Sequence, residues 1–226
     1  VKICIVIPVH NESRNIGDVL DSLSGKGLGV VVIDDGSTDH SGAIAEARGA
    51  VVIRHDQKMG KGLSLKEGFM YALAEGYAGV IAMDGDGQHD AGDIDHILEK
   101  AQETSPSIVT GNRMQDNAGM PLVRLLTNRF MSGLISALCK QRIPDTQCGF
   151  RFISSQILRE MTLTCNDFEI ETEVLIKASR RGYKIYSVPI RTIYRNEDSK
   201  INPFKDTIRF FRYIIREIFS KNSSRN

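Results

Sequence analysis

Between Asp84 and Asp90 the chain places three aspartates, Gln88 and His89 directly after the apolar run Val80-Ile81-Ala82-Met83. The run reads as a strand buried on both faces. Carboxylates at i and i+2 beside a strand end repel one another, and burying them unpaired is strongly unfavourable, so positive charge is expected there. A hard divalent cation, Mg2+ or Mn2+, is one solution, because it takes oxygen ligands, keeps several waters and is commonly shared between one or two carboxylates and a substrate's phosphates. If strand geometry continues, Asp86 and Gln88 point the same way and approach one ion while Asp84 reaches a neighbouring group. The competing reading is a solvated acidic turn capping a helix from Asp93. His89 is expected to shape the loop rather than to ligate, and His40, His55 and His96 to lie on the surface.

Other phosphate and metal chemistries fail on residues they require. A dinucleotide site would carry GxGxxG after the first strand, where PVHNES stands instead. The run MGKGLS resembles a P-loop, but His55 occupies the first glycine position and Gly62 replaces the Ser/Thr. Asp84 to Asp95 resembles an EF-hand loop, yet its sixth residue is His89 and its twelfth is Asp95, not glutamate.

The elements that must position these residues alternate. KICIVIPV, VVVIDD, VVIRH, GVIAMD and SIVTGN are β-branched runs. Helical patterns fall between them at about 13–23, 41–48, 61–75 and 93–103. Such alternation is the signature of βαβ units and a parallel sheet with helices on both faces. Ligands of such sheets bind beyond the carboxyl ends of the strands. Those ends here are PVHNE, DDGSTD, DGDGQH and TGNR, all polar. After Arg113 the pattern loosens into a loop DNAGMP, a helix over 122–138, DTQCGFRFIS, FEIETEVLIKASRRG and KIYSVPI. No Pro/Gly/Ser-rich linker divides the halves, so residues 114–200 are expected to extend the same domain as 1–113. FEIETE reads as a helix start, with its acids near the amino end.

Lys and Arg number 29 against 28 Asp and Glu, which gives no case for a general polyanion or nucleic-acid binder. The four scattered cysteines form no CxxC pair and imply a reduced, cytosolic setting. From Lys200 to Arg225, however, seven Lys/Arg residues face only Asp206 and Glu217. The 4,3,4,3 spacing of Phe204, Ile208, Phe211, Ile215 and Ile218 makes an apolar helical face there, flanked by Lys205, Arg209, Arg212 and Arg216. This pattern fits a helix in an anionic membrane interface, and equally a helix packed on the sheet. The polar end SKNSSRN is expected to be disordered.

PVHNE, DDGSTD, GKG, DGDGQH, GNR, DTQCGFR, FEIETE and SKINPF follow one another in an order that resembles the family 2 glycosyltransferases, most closely the dolichol-phosphate mannose synthase-like branch. The resemblance implies a GT-A fold, a nucleotide-sugar donor, a divalent metal and inverting transfer to a polyprenyl phosphate. By position it implies that Pro8, His10 and Glu12 line the nucleotide pocket, Asp34 or Asp35 meets base or ribose, and Lys61 of the GKG motif belongs to the same pocket. Asp84 would meet the ribose or the metal shell, with Asp86 and Gln88 holding the ion on the diphosphate. Arg113, with Arg124 or Arg129, and the pair Ser199-Lys200 would meet phosphate oxygens. Where such relatives often carry Tyr, this chain has His10.

The chemistry agrees with that assignment. A nucleoside-diphosphate leaving group needs its growing charge neutralised, which a metal with flanking Arg and Lys does. A hydroxyl acceptor also needs a general base, whereas a phosphate acceptor is already anionic and needs only positive charge. Arg113, Arg124, Arg129, Arg151 and Lys200 offer such charge. Glu171 or Asp145 is expected either near the acceptor sugar or in a structural role. The resemblance thus implies a GT-A catalytic domain over 1–200, followed by the amphipathic basic helix read over 201–226. It predicts a peripheral enzyme at the cytosolic face of a membrane, moving mannose or glucose to a polyprenyl phosphate. The rivals are transfer to a sugar hydroxyl and a non-catalytic nucleotide-sugar-binding protein.

Overall fold

The structure is a computed structural model that describes residues 1–115, 120–193 and 209–217. Its elements follow in the order β1 (Ile3–Val9), α1 (Ile16–Leu23), β2 (Gly29–Asp34), α2 (Ser41–Ala47), β3 (Val51–Arg54), α3 (Lys61–Ala74), β4 (Gly79–Ala82), α4 (Asp93–Thr104), β5 (Ile108–Asn112), α5 (Leu122–Cys139), β6 (Arg151–Ser154), α6 (Ser155–Glu160), α7 (Ile170–Arg180) and β7 (Ile185–Pro189). Residues 209–217 add a last helix, α8.

The strands make one sheet in the order β3-β2-β1-β4-β6-β5-β7. Every pairing is parallel except those of β6, which runs antiparallel between β4 and β5. Side chains alternate across the sheet because the strand period is two. Cys4, Val6, Val31, Ile33, Val80 and Ala82 face a core closed by α3, α5, α6, α7 and α8. Ile5, Ile7, Val32, Ile81 and Met83 face the opposite core, beneath α1, α2 and α4. The alternating β-branched runs therefore form the doubly covered sheet that the sequence predicts.

Two local expectations change. The helix after β1 starts at Ile16 rather than Ser13, because Asn15 and Ile16 both donate to the Glu12 carbonyl and spend residues 13–15 in a turn. In α8 the face turned inward is Phe210, Tyr213 and Ile214, with Glu217 ion-paired to Arg180 of α7. Phe211 and Ile215, expected either against the sheet or at a membrane interface, are exposed rather than packed against the sheet. Two apolar stripes share this helix, and the one that docks lies on the same side as the Arg180–Glu217 pair. Phe204, Lys205, Ile208 and Ile218 of that expected face and flank lie outside the described residues. No described helix is long and apolar enough to cross a membrane.

Candidate functional site

The order of the sheet turns at β1, whose neighbours are β2 and β4, and a crevice at the carboxyl ends of these strands is where an open α/β sheet binds ligands. His10 to Glu12 follow β1, Asp34 and Asp35 end β2, Asp84 to His89 follow β4, and Arg113 follows β5. Because β6 runs the other way, the segment 145–150 enters it at this same edge.

The loops after β1 and β2 are zipped together. The Asn11 and Glu12 amides donate to Ser37 Oγ and Ser41 Oγ at 3.0 and 2.7 Å, and His10 Nδ1 lies 2.8 Å from the Asp35 carbonyl oxygen. Glu12 is buried and accepts from Asn15, and Pro8 is half-buried opposite Ile33. Asp34 accepts the Ser37 amide at 3.0 Å. Asp35 is almost wholly buried and accepts the amides of Met59 and Gly60 at 2.6 and 2.9 Å, which folds the β3–α3 loop back over β2.

His55, expected on the surface, is instead part of this wall. Its Nδ1 lies 2.8 Å from Asp35 and its Nε2 lies 2.7 Å from Glu67. Burial works against a charged ring, but hydrogen bonds and charge from the two carboxylates outweigh it and raise its pKa above the ordinary histidine value. Its position just past a strand end was the available signal. His40 and His96 are exposed, as expected.

The positive charge required beside the acids of β4 is supplied by Lys61, the first residue of α3. Its Nζ lies 2.6 Å from Asp84 Oδ1 and 2.7 Å from Glu171 Oε1, tying α3, the β4 loop and α7 together. Burial alone would push the Asp84 carboxyl up; the Lys61 ammonium reverses this and holds it well below the usual range. Gly149 is packed into the same knot, where a Cβ would stand 2.9 Å from Asp84 Oδ2, 3.1 Å from Glu171 and 3.3 Å from Lys61 Nζ. His89 stacks on Phe150 at 4.9 Å and lies 3.4 Å from Asp84, so it shapes the loop. A bridge from His89 to Thr192, with the Ile193 amide donating to the Gln88 carbonyl at 3.0 Å, fastens the chain after β7 onto the acidic loop.

Strand geometry does not persist to Gln88. The β4 ladder ends at Ala82, Gly87 takes φ 71°, and Asp86 Oδ1 accepts the Gln88 amide at 3.0 Å in a tight turn. The shared direction expected for Asp86 and Gln88 from strand alternation is therefore replaced by a turn that Asp86 itself closes. Asp86 makes no ion pair among the described residues, and burial together with the Asp84 charge raises its pKa. An anion so placed is relieved by a cation. Among the described residues no three His, Cys, Asp or Glu side chains gather to enclose an ion. The donor set fits a hard cation with few protein ligands, its remaining positions left to water and phosphate.

On the other side of β4, Arg113 grips the fully buried Asp145 through Nε at 2.7 Å and Nη2 at 3.0 Å, and its amide adds a third bond. Arg151, expected to offer charge to an acceptor phosphate, is buried and directs its guanidinium at the carbonyl oxygens of Cys148 and Glu171. Strand β6 draws it into the core, so it is a scaffold residue. Glu173 is also fully buried; burial opposes its ionisation, but Lys177 and the amides of Thr164 and Cys165 hold its pKa below the ordinary value. Glu169 caps α7. Arg124 and Arg129 lie exposed on α5 and make no ion pair among the described residues. Ser199 and Lys200 lie outside the described residues.

Residues 4–162 match the family model described as glycosyl transferase family 2. Glycosyltransferase AglJ of Haloferax volcanii is 31% identical over 227 residues, covering 99% of this chain and 73% of that protein. The UDP-N-acetylglucosamine–dolichyl-phosphate N-acetylglucosaminyltransferase of Methanococcus voltae is 27% identical, covering 85% of this chain and 86% of that one. Among solved structures, glucosyl-3-phosphoglycerate synthase from Mycobacterium tuberculosis, in complex with Mn2+, UDP and glucosyl-3-phosphoglycerate, is similar with a TM-score of 0.72 at 22% identity, over 97% of this chain and 79% of that one. That last likeness is one of fold. The family match, the switch point of the sheet and the acidic turn beside Lys61 agree: this chain belongs to glycosyl transferase family 2 and is a glycosyltransferase of GT-A-like fold.

Proposed function

We propose that the enzyme moves a hexose from a nucleoside-diphosphate sugar to a polyprenyl phosphate, with inversion, as a metal-dependent peripheral protein of the cytosolic membrane face. The observation that carries this reading is the engagement of three carboxylates of the second half, Asp145, Glu171 and Glu173. Glu171 is held by Lys61 and Arg151, Asp145 by Arg113, and Glu173 by Lys177. A hydroxyl acceptor needs a positioned carboxylate free to take its proton, whereas a phosphate monoester brings its own negative oxygen. The dolichyl-phosphate specificity named for the Methanococcus voltae relative points the same way.

In this mechanism residues 1–113 hold the donor and 114–200 the acceptor. The wall built on His10, Glu12, Asp34 and Asp35 receives the nucleoside, with His55 and Asp35 fixing the loop that leads to Lys61. Asp86, with Asp84 and Gln88, would hold Mg2+ or Mn2+ against the diphosphate, and the ion would neutralise charge on the leaving group. Lys61 orients Asp84 and adds positive charge at the same place. An acceptor phosphate oxygen attacks the anomeric carbon from the face opposite the diphosphate, the glycosidic C–O bond to the diphosphate breaks, and the nucleoside diphosphate leaves with the electron pair. Arg113, oriented by Asp145, with Arg129 and Lys200 supplies positive charge for the two phosphates. The basic C-terminal segment brings the domain to the lipid.

The test is incubation of labelled GDP-mannose or UDP-glucose with a short polyprenyl phosphate and Mn2+ or Mg2+. An organic-extractable labelled product is expected. Label transferred only to free sugars would overturn the acceptor, and equal turnover in EDTA would overturn the metal.

A further inference from the structure

We infer that Arg209 and Asp167 are positioning residues for Lys61, through which α8 sets the affinity of the donor site. The reason begins at the amino end of α3. The first amides of a helix have no intrahelical partners, and a side chain just before the first turn commonly accepts from one of them. Gly60 stands at that place and has no side chain to offer. The Leu63 amide donates instead to the Asn166 carbonyl at 3.1 Å, and Lys66 Nζ donates to Asn166 Oδ1 at 2.5 Å. Lys61 Nζ lies 5.5 Å from the centroid of the Phe168 ring. A Cβ on Gly60 would stand 2.5 Å from the Asn166 carbonyl oxygen and 2.8 Å from Asp167 Oδ1, so loop and helix start touch directly. Residues 166–168 are thus the cap that the helix of Lys61 does not carry itself.

This cap is held in turn by α8. Arg209 Nη1 lies 3.0 Å from Asp167 Oδ2, and Arg216 Nη2 donates to Thr164 Oγ1 at 3.2 Å. Glu173 fixes the start of the same loop, accepting the amides of Thr164 and Cys165 at 2.8 and 2.9 Å. Phe210, Tyr213 and Ile214 bury the inner face of α8, so its arginines work from a docked helix. Arg209, Asp167, Gly60 and Lys61 therefore form a run of direct contacts from the last helix to the acids of β4.

The Arg209–Asp167 side chains are 46% and 30% exposed, and a pair so open to water contributes little to folding. Its effect is on geometry. Lys61 meets Asp84 at 2.6 Å and Glu171 at 2.7 Å on two different elements, and a misplacement of about 1 Å matters at a site of this kind. The consequence for nucleotide affinity rests on the donor pocket proposed above, whereas the contacts themselves do not.

The test is isothermal titration of the full chain with UDP and with GDP in Mn2+. R209A is expected to weaken binding of the nucleotide that the wild type takes by about threefold, and R209A/R216A by about tenfold. R209K should restore most of the wild-type affinity. R212A removes an exposed arginine of the same helix that makes no ion pair among the described residues, and should leave affinity unchanged. D167A should also weaken binding, and D167A/R209A no further, because Arg209 acts through Asp167. Wild-type affinity in R209A and R209A/R216A overturns the inference alone, even where their melting midpoints fall, since that is the mark of a purely structural pair. An equal loss in R212A overturns it as a general effect of charge. A wild type that binds neither nucleotide overturns the donor pocket and this inference with it.

Discussion

Asp86, two residues on from Asp84, and Lys61, ion-paired to it, set opposite charges beside the same carboxylate, and their replacement should have opposite signatures. Asp86→Asn removes an anion that pairs with no described cation, so the fold should keep its melting midpoint while metal-dependent kcat falls by at least about 10²-fold. Steady-state turnover together with circular dichroism melts checks both halves of that statement. Lys61→Met leaves Asp84 and Glu171 facing each other without their shared ammonium, and should cost about 3 kcal/mol in urea unfolding. His55 gives a pH dependence. Its pKa is raised in the folded protein above the ordinary 6.5, so the stabilisation from its imidazolium is complete below that value and is lost as pH rises through the folded pKa. The melting advantage of wild type over His55→Gln should therefore be full below about pH 6.5 and shrink as the pH is raised above it. The acids of the site were legible in the sequence because carboxylates crowded at a strand end demand an explanation. The Lys61–Glu171 contact was not, since it joins residues far apart in the chain, and a lone His55 looks the same on a surface as between two acids.

At the scale of elements, α3 and α7 set the spacing of the ionic knot. Gly60, at φ 105°, turns the chain into α3, and a Cβ on Gly62 would sit 2.5 Å from the Asn166 carbonyl carbon and 2.7 Å from the Asp167 amide nitrogen. Backbone cannot swing aside as a side chain can. Gly62→Ala should push α3 off the 166–167 loop, costing about 1–3 kcal/mol and raising the donor KM, both measurable by thermal melts and initial rates. Periodicity revealed the helices well: α4, α5 and α7 fall where the apolar spacing and the acids of FEIETE placed them. The turn at Asp86 was hidden because an i, i+2 pair of carboxylates reads identically on a strand and on a turn. The inward face of α8 was hidden too, because that helix carries two apolar stripes and the residues it packs against, Arg180 among them, are distant in sequence.

For the whole molecule, the order of strands matters more than their number. β5 pairs only with β6 and β7, never with β4, so the two halves are joined through a strand that belongs to the second. A fragment of residues 1–113 should consequently leave β5 without a partner. Its amide resonances are expected to be poorly dispersed, while those of the full chain are well dispersed. Alternation of strands and helices made the parallel sheet readable, but the direction of FRFIS was not, since a short apolar strand has the same composition whichever way it runs. The clasp of Thr192 and Ile193 on His89 and Gln88 has a mechanical corollary. Any anchoring of the chain beyond Ile193 would act directly on the turn that bears Asp86, so tension on the tail and the position of that carboxylate are two ends of a single tether.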